Sequence, residues 1–313
     1  MNRATPGSLP ASCRACRPII TRRSLPLYLM ILPPALLALI YCYGPMFGLV
    51  MAFQKFEPAM GFLRSQWVGW ANFQRILSMP DIKEVVWNTF YIAIWKIIVE
   101  TLAAILVAIL LNEVRSRRFK RVVQTTIYFP YFLSWVILGG ILRDVMARDG
   151  LMNVVIGYLG FKPIVLLANA KLFPWTLVWT ETWQQTGFGT IVFLAAISNI
   201  NPSLYEAAAM DGAGRLKQTW YITLPGMSPT IILMVVLSMG YILNAGFEQI
   251  LMLYSPVVYS TGDVIDTWVY RAGLRGAQYS LGAAVGLFRS VVSFVMVSLS
   301  YWIAYKVADY RIF

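Results

Sequence analysis

Polar side chains interrupt the long apolar runs of this sequence at a few places: Lys96 and Glu100, Glu181 with Gln184 and Gln185, and Asn244 with Glu248 and Gln249. Ionisable groups inside a bilayer are costly, so each marks a pathway, a relay or a partner. Trp175, Trp179 and Trp183 recur every fourth residue around Glu181 and the two glutamines, a spacing that puts three indoles on one helical face. Indoles stack on pyranose rings and amides bind hydroxyls, so the stretch reads as a sugar path. The plainer alternative is an interfacial tryptophan belt. Tyr241, Asn244 and Glu248 form a second stripe at helical spacing, read as path-facing or as interhelical hydrogen bonding. The candidate substrate-path residues are therefore Trp179, Trp183, Gln184, Gln185, Tyr241, Asn244 and Glu248. Lys96 and Glu100 lie four apart and are expected to neutralise one another. Arg289 is expected to snorkel outward or to meet an acidic sugar.

Other chemistries are excluded by what the chain lacks. It has no histidine, which removes the usual general base and the Ser-His-Asp and Cys-His arrangements. Of three cysteines, Cys13 and Cys16 form a lone Cys-x-x-Cys and Cys42 stands apart. With no second pair and no histidine, they give neither a disulfide framework nor a zinc site, so no metal is expected. No Gly-x4-Gly-Lys-Ser/Thr motif occurs, so no nucleotide phosphate is cradled here. If ATP drives this protein, another chain hydrolyses it. A clustered Asp-x-Asp site, as a membrane glycosyltransferase would want, is absent too.

Hydrophobic residues make up 58% of the 313 residues and charged ones only 13%, which points to a polytopic membrane protein. Backbone in lipid must satisfy itself, so the spans are helical and the fold class is all-α, a membrane helical bundle. Six spans are expected, at about 25–51, 86–111, 122–142, 173–197, 229–250 and 283–305, after a basic arm at 1–24. Pro33, Pro34 and Pro45 should bend the first span and Pro130 the third. With the N-terminus inside, the inside segments hold fourteen bases and four acids, the longer outside loops ten bases and seven acids. Most of the net charge of +12 is then a topology signal with both termini cytoplasmic, rather than a nucleic-acid footprint. The mildly basic outside face is compatible with acidic sugars. Outside segments 52–85 and 143–172 read as short interfacial helices, and 251–282 as a folded segment.

The largest inside loop, 198–228, carries "NPSLYEAAAMDGAGRLKQTWYITLPGM". Asn201-Pro202 starts a helix and Asp211-Gly212 stops it. A second short helix is expected to run until Pro225-Gly226 breaks it ahead of the fifth span. Ala207, Ala208 and Ala209 leave the first helix thin enough to enter a groove on another protein, with Leu204, Tyr205 and Met210 supplying apolar contact. The alternative is a capped interfacial helix that only joins two spans.

The spacing Glu206-Ala207-Ala208, three residues, Gly212, nine residues, then Ile222-x-Leu224-Pro225 resembles the signature loop of ABC importer permeases at every fixed position. Trp220 stands where relatives often carry another large aromatic. "YGPMFGLVMAFQKFEP" (43–58), "LLNEVRSRRFKRVVQT" (110–125), "YFPYFLSWVILGGI" (128–141) and "GFEQILMLYSPVVY" (246–259) extend the resemblance over nearly the whole chain. It is similar to the complex-oligosaccharide subgroup typified by lipoprotein-named, aldouronate and alginate-oligosaccharide permeases, more distantly to maltose permeases. The resemblance implies a bacterial cytoplasmic-membrane permease subunit that moves oligosaccharides, uronate-containing ones among the candidates. It implies no enzymatic activity and no cofactor on this chain, with ATP and Mg on two partner ATPase subunits. A second permease, an extracytoplasmic solute-binding protein and membrane lipid are the other expected partners. The loop is then the coupling helix, carried by Tyr205, Glu206, Ala207, Ala208, Met210, Asp211, Gly212, Leu224 and Pro225. An ion-coupled secondary transporter is the alternative, and it would want inverted repeats and a carboxylate relay.

Overall fold

A computed structural model describes residues 25–240 and 242–308. The basic arm with Cys13 and Cys16, and the path candidate Tyr241, lie outside the described residues. The chain divides into two units at Leu49/Val50. In the first, α1 (Leu25–Ala38) contains Pro33 and Pro34 and passes into a π turn (Leu39–Tyr43) and a tight 3₁₀ stretch (Gly44–Phe53). Prolines remove N–H donors from the ladder, and the regular helix gives way soon after them. Its side chains are apolar and exposed all round, as a helix meant for lipid must be.

In the second unit, β1 (Gln54–Lys55) pairs antiparallel with β2 (Gln66–Trp67) around α2 (Gly61–Arg64), followed by α3 (Ala71–Leu77). The long α4 (Pro80–Glu113) opens on a proline at its first turn, where the missing N–H costs nothing. Next come α5 (Arg117–Tyr128), a 3₁₀ turn (Phe129–Phe132), α6 (Trp135–Met146) and α7 (Leu151–Tyr158). α8 (Phe173–Ser198) leads into α9 (Pro202–Met210), then α10 (Arg215–Gln218), a π turn (Thr219–Thr223) and α11 (Leu224–Gly240). The chain continues through α12 (Phe247–Leu253), α13 (Tyr259–Gly262), α14 (Ile265–Trp268) and a π segment (Val269–Arg275) to α15 (Tyr279–Ala308).

Among the described residues four helices are long and apolar enough to cross a bilayer, and counting two bent pairs as one span each brings the number to six. One pair, 117–132 with 135–158, bends by 105°, so the expected third span at 122–142 is not continuous. Pro130 sits in the 3₁₀ turn at the break, and Gln184 Nε2 donates to the freed carbonyl of Leu133 (3.0 Å). A carbonyl released in lipid needs such a partner.

The expected fifth span at 229–250 is also corrected. Its helix starts earlier and ends at Gly240, and the chain then turns through two left-handed residues, Ala245 (φ +41°) and Gly246 (φ +79°). Pro225-Gly226 does not break the chain: Arg215–Gly240 forms one span-length helix. The ladder survives because a π turn precedes Pro225, and Ser228 Oγ donates to Pro225 O (2.8 Å), the acceptor that Pro229 cannot serve.

The main core joins α4, α8, α12 and α15 around Ile92, Leu177, Ile250, Ile265 and Ala284. A second cluster, Ala104, Ala108, Phe193, Ile197 and Met227, ties α4 to α8 and α11 towards the α9 end. Small residues there let backbones approach, the usual means of holding helices together in lipid. The 251–282 segment is folded, as expected. Asn88 Nδ2 donates to Ser260 O (3.0 Å) and Thr89 Oγ1 accepts from Ile265 N (3.0 Å), which staples the segment to α4.

Candidate functional site

Two places in the second unit gather polar groups that the bundle does not need for itself. The first is the hairpin α9–α10. Asn201 Oδ1 accepts from Ser203 N (3.1 Å) and Pro202 takes the first helical position, which satisfies the start as its residue types require. Gly212 has φ +74°, Ala213 N donates to Ala208 O (2.8 Å) and Gly212 N to Ala209 O (3.1 Å). That pair of bonds closes the helix end in a Schellman turn, which needs a left-handed residue.

The hairpin is held to the bundle by Tyr205 Oη against Thr223 Oγ1 (3.0 Å) and by Arg215 Nη1 donating to Glu113 Oε2 at the end of α4 (2.9 Å). Beyond these ties, Met210 (89% exposed), Leu216 (88%), Trp220 and Tyr221 stand out from it. Glu206, Ala207 and Asp211 are exposed and Ala208 is half-buried. Leu224 and Pro225 belong to the continuous helix that leaves the hairpin.

The second place is a cavity of about 580 Å³ at mid-height, lined by Glu100 of α4, Glu181 and Gln185 of α8, and Asn244, Gly246 and Glu248 around the break after α11. Lys96 is at its wall and 6% exposed. Its ammonium donates to Ala245 O (2.8 Å) and to Gln249 Oε1, and lies 3.5 Å from Glu181 Oε2. Gln249, fully buried, passes the link on through Nε2 to Leu177 O (2.8 Å) and Thr180 Oγ1 (2.6 Å). One lysine thus fastens the broken span to α4 and α8 at once. A Cβ on Gly246 would strike the Lys96 ammonium.

These contacts correct three expectations. Lys96 is paired with Glu181 rather than with Glu100, because the broken span delivers a carbonyl and an amide that draw the ammonium across the bundle. Arg289 neither snorkels nor waits for ligand: it is ion-paired with Asp266. Asn244 and Glu248 do not share one helix, since α11 ends at Gly240 and α12 begins at Phe247.

Of the path candidates, Gln185, Asn244 and Glu248 meet in the cavity. Gln184 is buried and serves the α5–α6 break. Trp179 borders a separate small apolar pocket with Trp175, and Trp183 is half exposed away from the cavity. Lys96, Glu181, Gly246 and Gln249 were not on the candidate list. Gly246 inside an apolar run was the one local sign of a break.

Outside the spans, the folded segment carries a charged knot. Asp263, 2% exposed, accepts from Thr267 Oγ1 (2.6 Å) and is ion-paired with Arg271, whose guanidinium lies over the Tyr259 ring at 4.6 Å. Burial pushes the Tyr254 phenol up to about 12, with Tyr259 and Asp263 adding to it. Burial also raises the Asp266 carboxyl against the pull of Arg289. For Arg271, the bond and charge of Asp263 outweigh desolvation, and its pKa rises.

This pairing of a projecting hairpin with a mid-height polar cavity can be compared with known proteins. Residues 100–309 match the family of binding-protein-dependent transport system inner membrane components. The chain belongs to that family. Over 288 residues the permease is 40% identical to the polygalacturonan/rhamnogalacturonan transport system permease protein YteP of Bacillus subtilis, covering 92% of this chain and 90% of the relative. It resembles the crystal structure of a bacterial ABC transporter involved in the import of the acidic polysaccharide alginate, with a TM-score of 0.85 and 36% identity over 91% of this chain and 97% of that one. A second structure of an alginate ABC transporter, in complex with an alginate pentasaccharide-bound periplasmic protein, gives a TM-score of 0.84 at 35% identity, covering 91% and 96%. The permease is a multi-pass membrane subunit of an ABC importer and not an enzyme. ATP hydrolysis in such importers lies on partner subunits, beside a second permease and a substrate-binding protein.

Proposed function

We propose that the permease carries oligosaccharides inward through the cavity around Glu100, Gln185, Asn244 and Glu248, and that the α9–α10 hairpin is the handle by which a partner ATPase drives it. The observation that carries this reading is the hairpin itself. Its α9 is capped at both ends and the hairpin is tied to α4 and to the π turn ahead of α11, yet it leaves Met210, Leu216, Trp220 and Tyr221 exposed. Large apolar side chains left exposed along one short stretch mark a surface that a partner or lipid covers. A thin helix with an alanine face and acidic rim at Glu206 and Asp211 suits a groove in that partner. Relatives named for polygalacturonan/rhamnogalacturonan and alginate, and others named for arabinooligosaccharides and galactooligosaccharides, support oligosaccharides as the substrate class.

In this reading both termini and the hairpin face the cytoplasm, where Mg-ATP closes the ATPase pair. Closure draws the hairpin of this chain towards that of the second permease. The tie from Arg215 to Glu113 and the unbroken helix from Arg215 to Gly240 pass the movement to the spans around the cavity. Tyr205, Glu206, Ala207, Ala208, Met210, Asp211 and Gly212 form the docked face, with Leu224 and Pro225 in the helix that leaves it. A solute-binding protein delivers sugar at the opposite face.

The test is co-purification of the complete complex in detergent. Gly212→Pro forces φ to about −65° where +74° is needed, and Glu206→Lys reverses the rim charge. Both variants are expected to insert in the membrane while losing the ATPase on gel filtration. An ATPase that still co-elutes with both, with uptake intact, sinks the assignment.

A further inference from the structure

α5 enters the bundle from the hairpin end. Its cap, Ser116, follows closely on Glu113, whose carboxylate holds Arg215 of the hairpin (2.9 Å). Its far end packs on the middle of α8 at Gly187, where a Cβ would come within 2.7 Å of Ile127 O and 2.8 Å of Tyr128 Cα. α5 therefore rises from the level of the hairpin into the adjoining half of the bilayer, and its first two turns stand at headgroup depth. Those turns and the residues just ahead of them carry Arg115, Arg117, Arg118, Lys120 and Arg121. The four arginines are exposed and Lys120 is half-buried. None of the five is ion-paired among the described residues. The sequence has no acid between Glu113 and Asp144, and Glu113 is already taken by Arg215. Phe119 (59% exposed) and Val122 (63%) lie one turn apart on the same helix, outside both core clusters. Arg118 precedes Val122 by one turn, so a base stands directly above the apolar strip.

We propose that the root of α5 is a docking surface for an anionic phospholipid of the leaflet on the hairpin side. Arg117, Arg118 and Arg121 hold its phosphate, and an acyl chain lies along Phe119 and Val122. Charge complementarity names the occupant. A guanidinium donates in a planar fork that matches phosphate oxygens. An apolar strip beneath a cluster of bases is how a helix at the membrane surface takes an anionic lipid. A free anion would answer the bases and leave Phe119 and Val122 bare. A zwitterionic lipid would fill the strip and leave the positive charge uncompensated, so the net charge of the headgroup decides between lipids. Bases at this end of a span also set topology, but topology alone asks for no apolar strip beside them. The site goes beyond the transport reading and is independent of which sugar crosses.

The test purifies the complete complex in detergent that contains equal amounts of phosphatidylglycerol and phosphatidylcholine, and counts the retained phospholipid by native mass spectrometry. Wild type is expected to retain phosphatidylglycerol over phosphatidylcholine about tenfold. In Arg117→Gln/Arg118→Gln/Arg121→Gln the ratio is expected to fall to about twofold, with the ATPase subunit still co-eluting. Arg148→Gln/Lys162→Gln/Lys171→Gln removes the same charge at the opposite end, ahead of α8, and is expected to keep the wild-type ratio. If the α5 triple variant does not assemble, Arg118→Gln and Arg121→Gln are read singly, each expected to lower the ratio about twofold. Equal retention of the two lipids by wild type overturns the proposal. So does a ratio unmoved by the α5 changes, or one lowered as far by the opposite-end changes. Loss of the ATPase from an α5 variant that keeps its lipid assigns the bases to the partner protein and overturns it too.

Discussion

At the residue scale the structure turns on Lys96. A lysine in the middle of a span is stable only if every donor is used, and three partners from two other elements use them. Replacing it with methionine leaves Glu181 and the Ala245 carbonyl without their partner in a setting of low dielectric. Breaking a buried pair from one side typically costs 3–5 kcal/mol, so Lys96→Met should lose about that much. The check is the thermal unfolding midpoint of the purified complex, where adding Glu181→Gln should restore part of the loss. No change in midpoint would mean that the pair does not hold the break. Arg215 and Glu113 make the contrast: both are about half exposed, so Arg215→Ala should change stability by less than about 1 kcal/mol. The sequence showed that Lys96 and Glu181 were out of place in lipid, but not that they were partners. They are 85 residues apart, and the helical spacing to Glu100 offered a nearer one. The same holds for Arg289 and Asp266, which meet only through the fold.

At the element scale, legibility followed how local the cause was. The α9 start and stop were readable because Asn201, Pro202 and Gly212 act on the backbone within one turn of themselves. The two broken spans were not, although each carries a local hint. Pro130 signalled a bend but not a 105° turn, whose carbonyl is satisfied by Gln184 from another helix. Gly246 signalled irregularity, yet continuous hydrophobicity from 229 to 250 favoured an unbroken helix. In the opposite sense, Pro225-Gly226 looked like a stop and is not one: a π turn leads into Pro225, and Ser228 serves the Pro225 carbonyl that Pro229 cannot. Gly246→Ala tests the break directly. An alanine at φ +79° is strained by about 1–3 kcal/mol, and its methyl would press on the Lys96 ammonium. The variant is expected to unfold earlier by that amount and to lower transport more than ATPase co-purification, since the hairpin lies elsewhere. Equal loss of both would show that the break and the hairpin are one cooperative unit.

At the scale of the whole molecule, composition alone made the class plain, an all-α membrane bundle, and the spacing in the 198–228 loop pointed to the family that the comparisons bear out. What composition could not give was the cavity, whose wall includes the break after α11 and Trp135 at the start of α6. The account as a whole holds that energy enters at the hairpin from ATP bound elsewhere and is spent moving sugar past the cavity. Among the described residues, the carboxylates that a relay would need are divided between a lysine pair and the cavity wall. The most direct measurement is uptake of labelled oligosaccharide into proteoliposomes that contain the full complex and loaded binding protein. Uptake is expected to require Mg-ATP on the ATPase side, to persist when ionophores collapse proton and sodium gradients, and to vanish in Gly212→Pro. Accumulation driven by an imposed ion gradient without ATP, and indifferent to Gly212→Pro, would contradict the account.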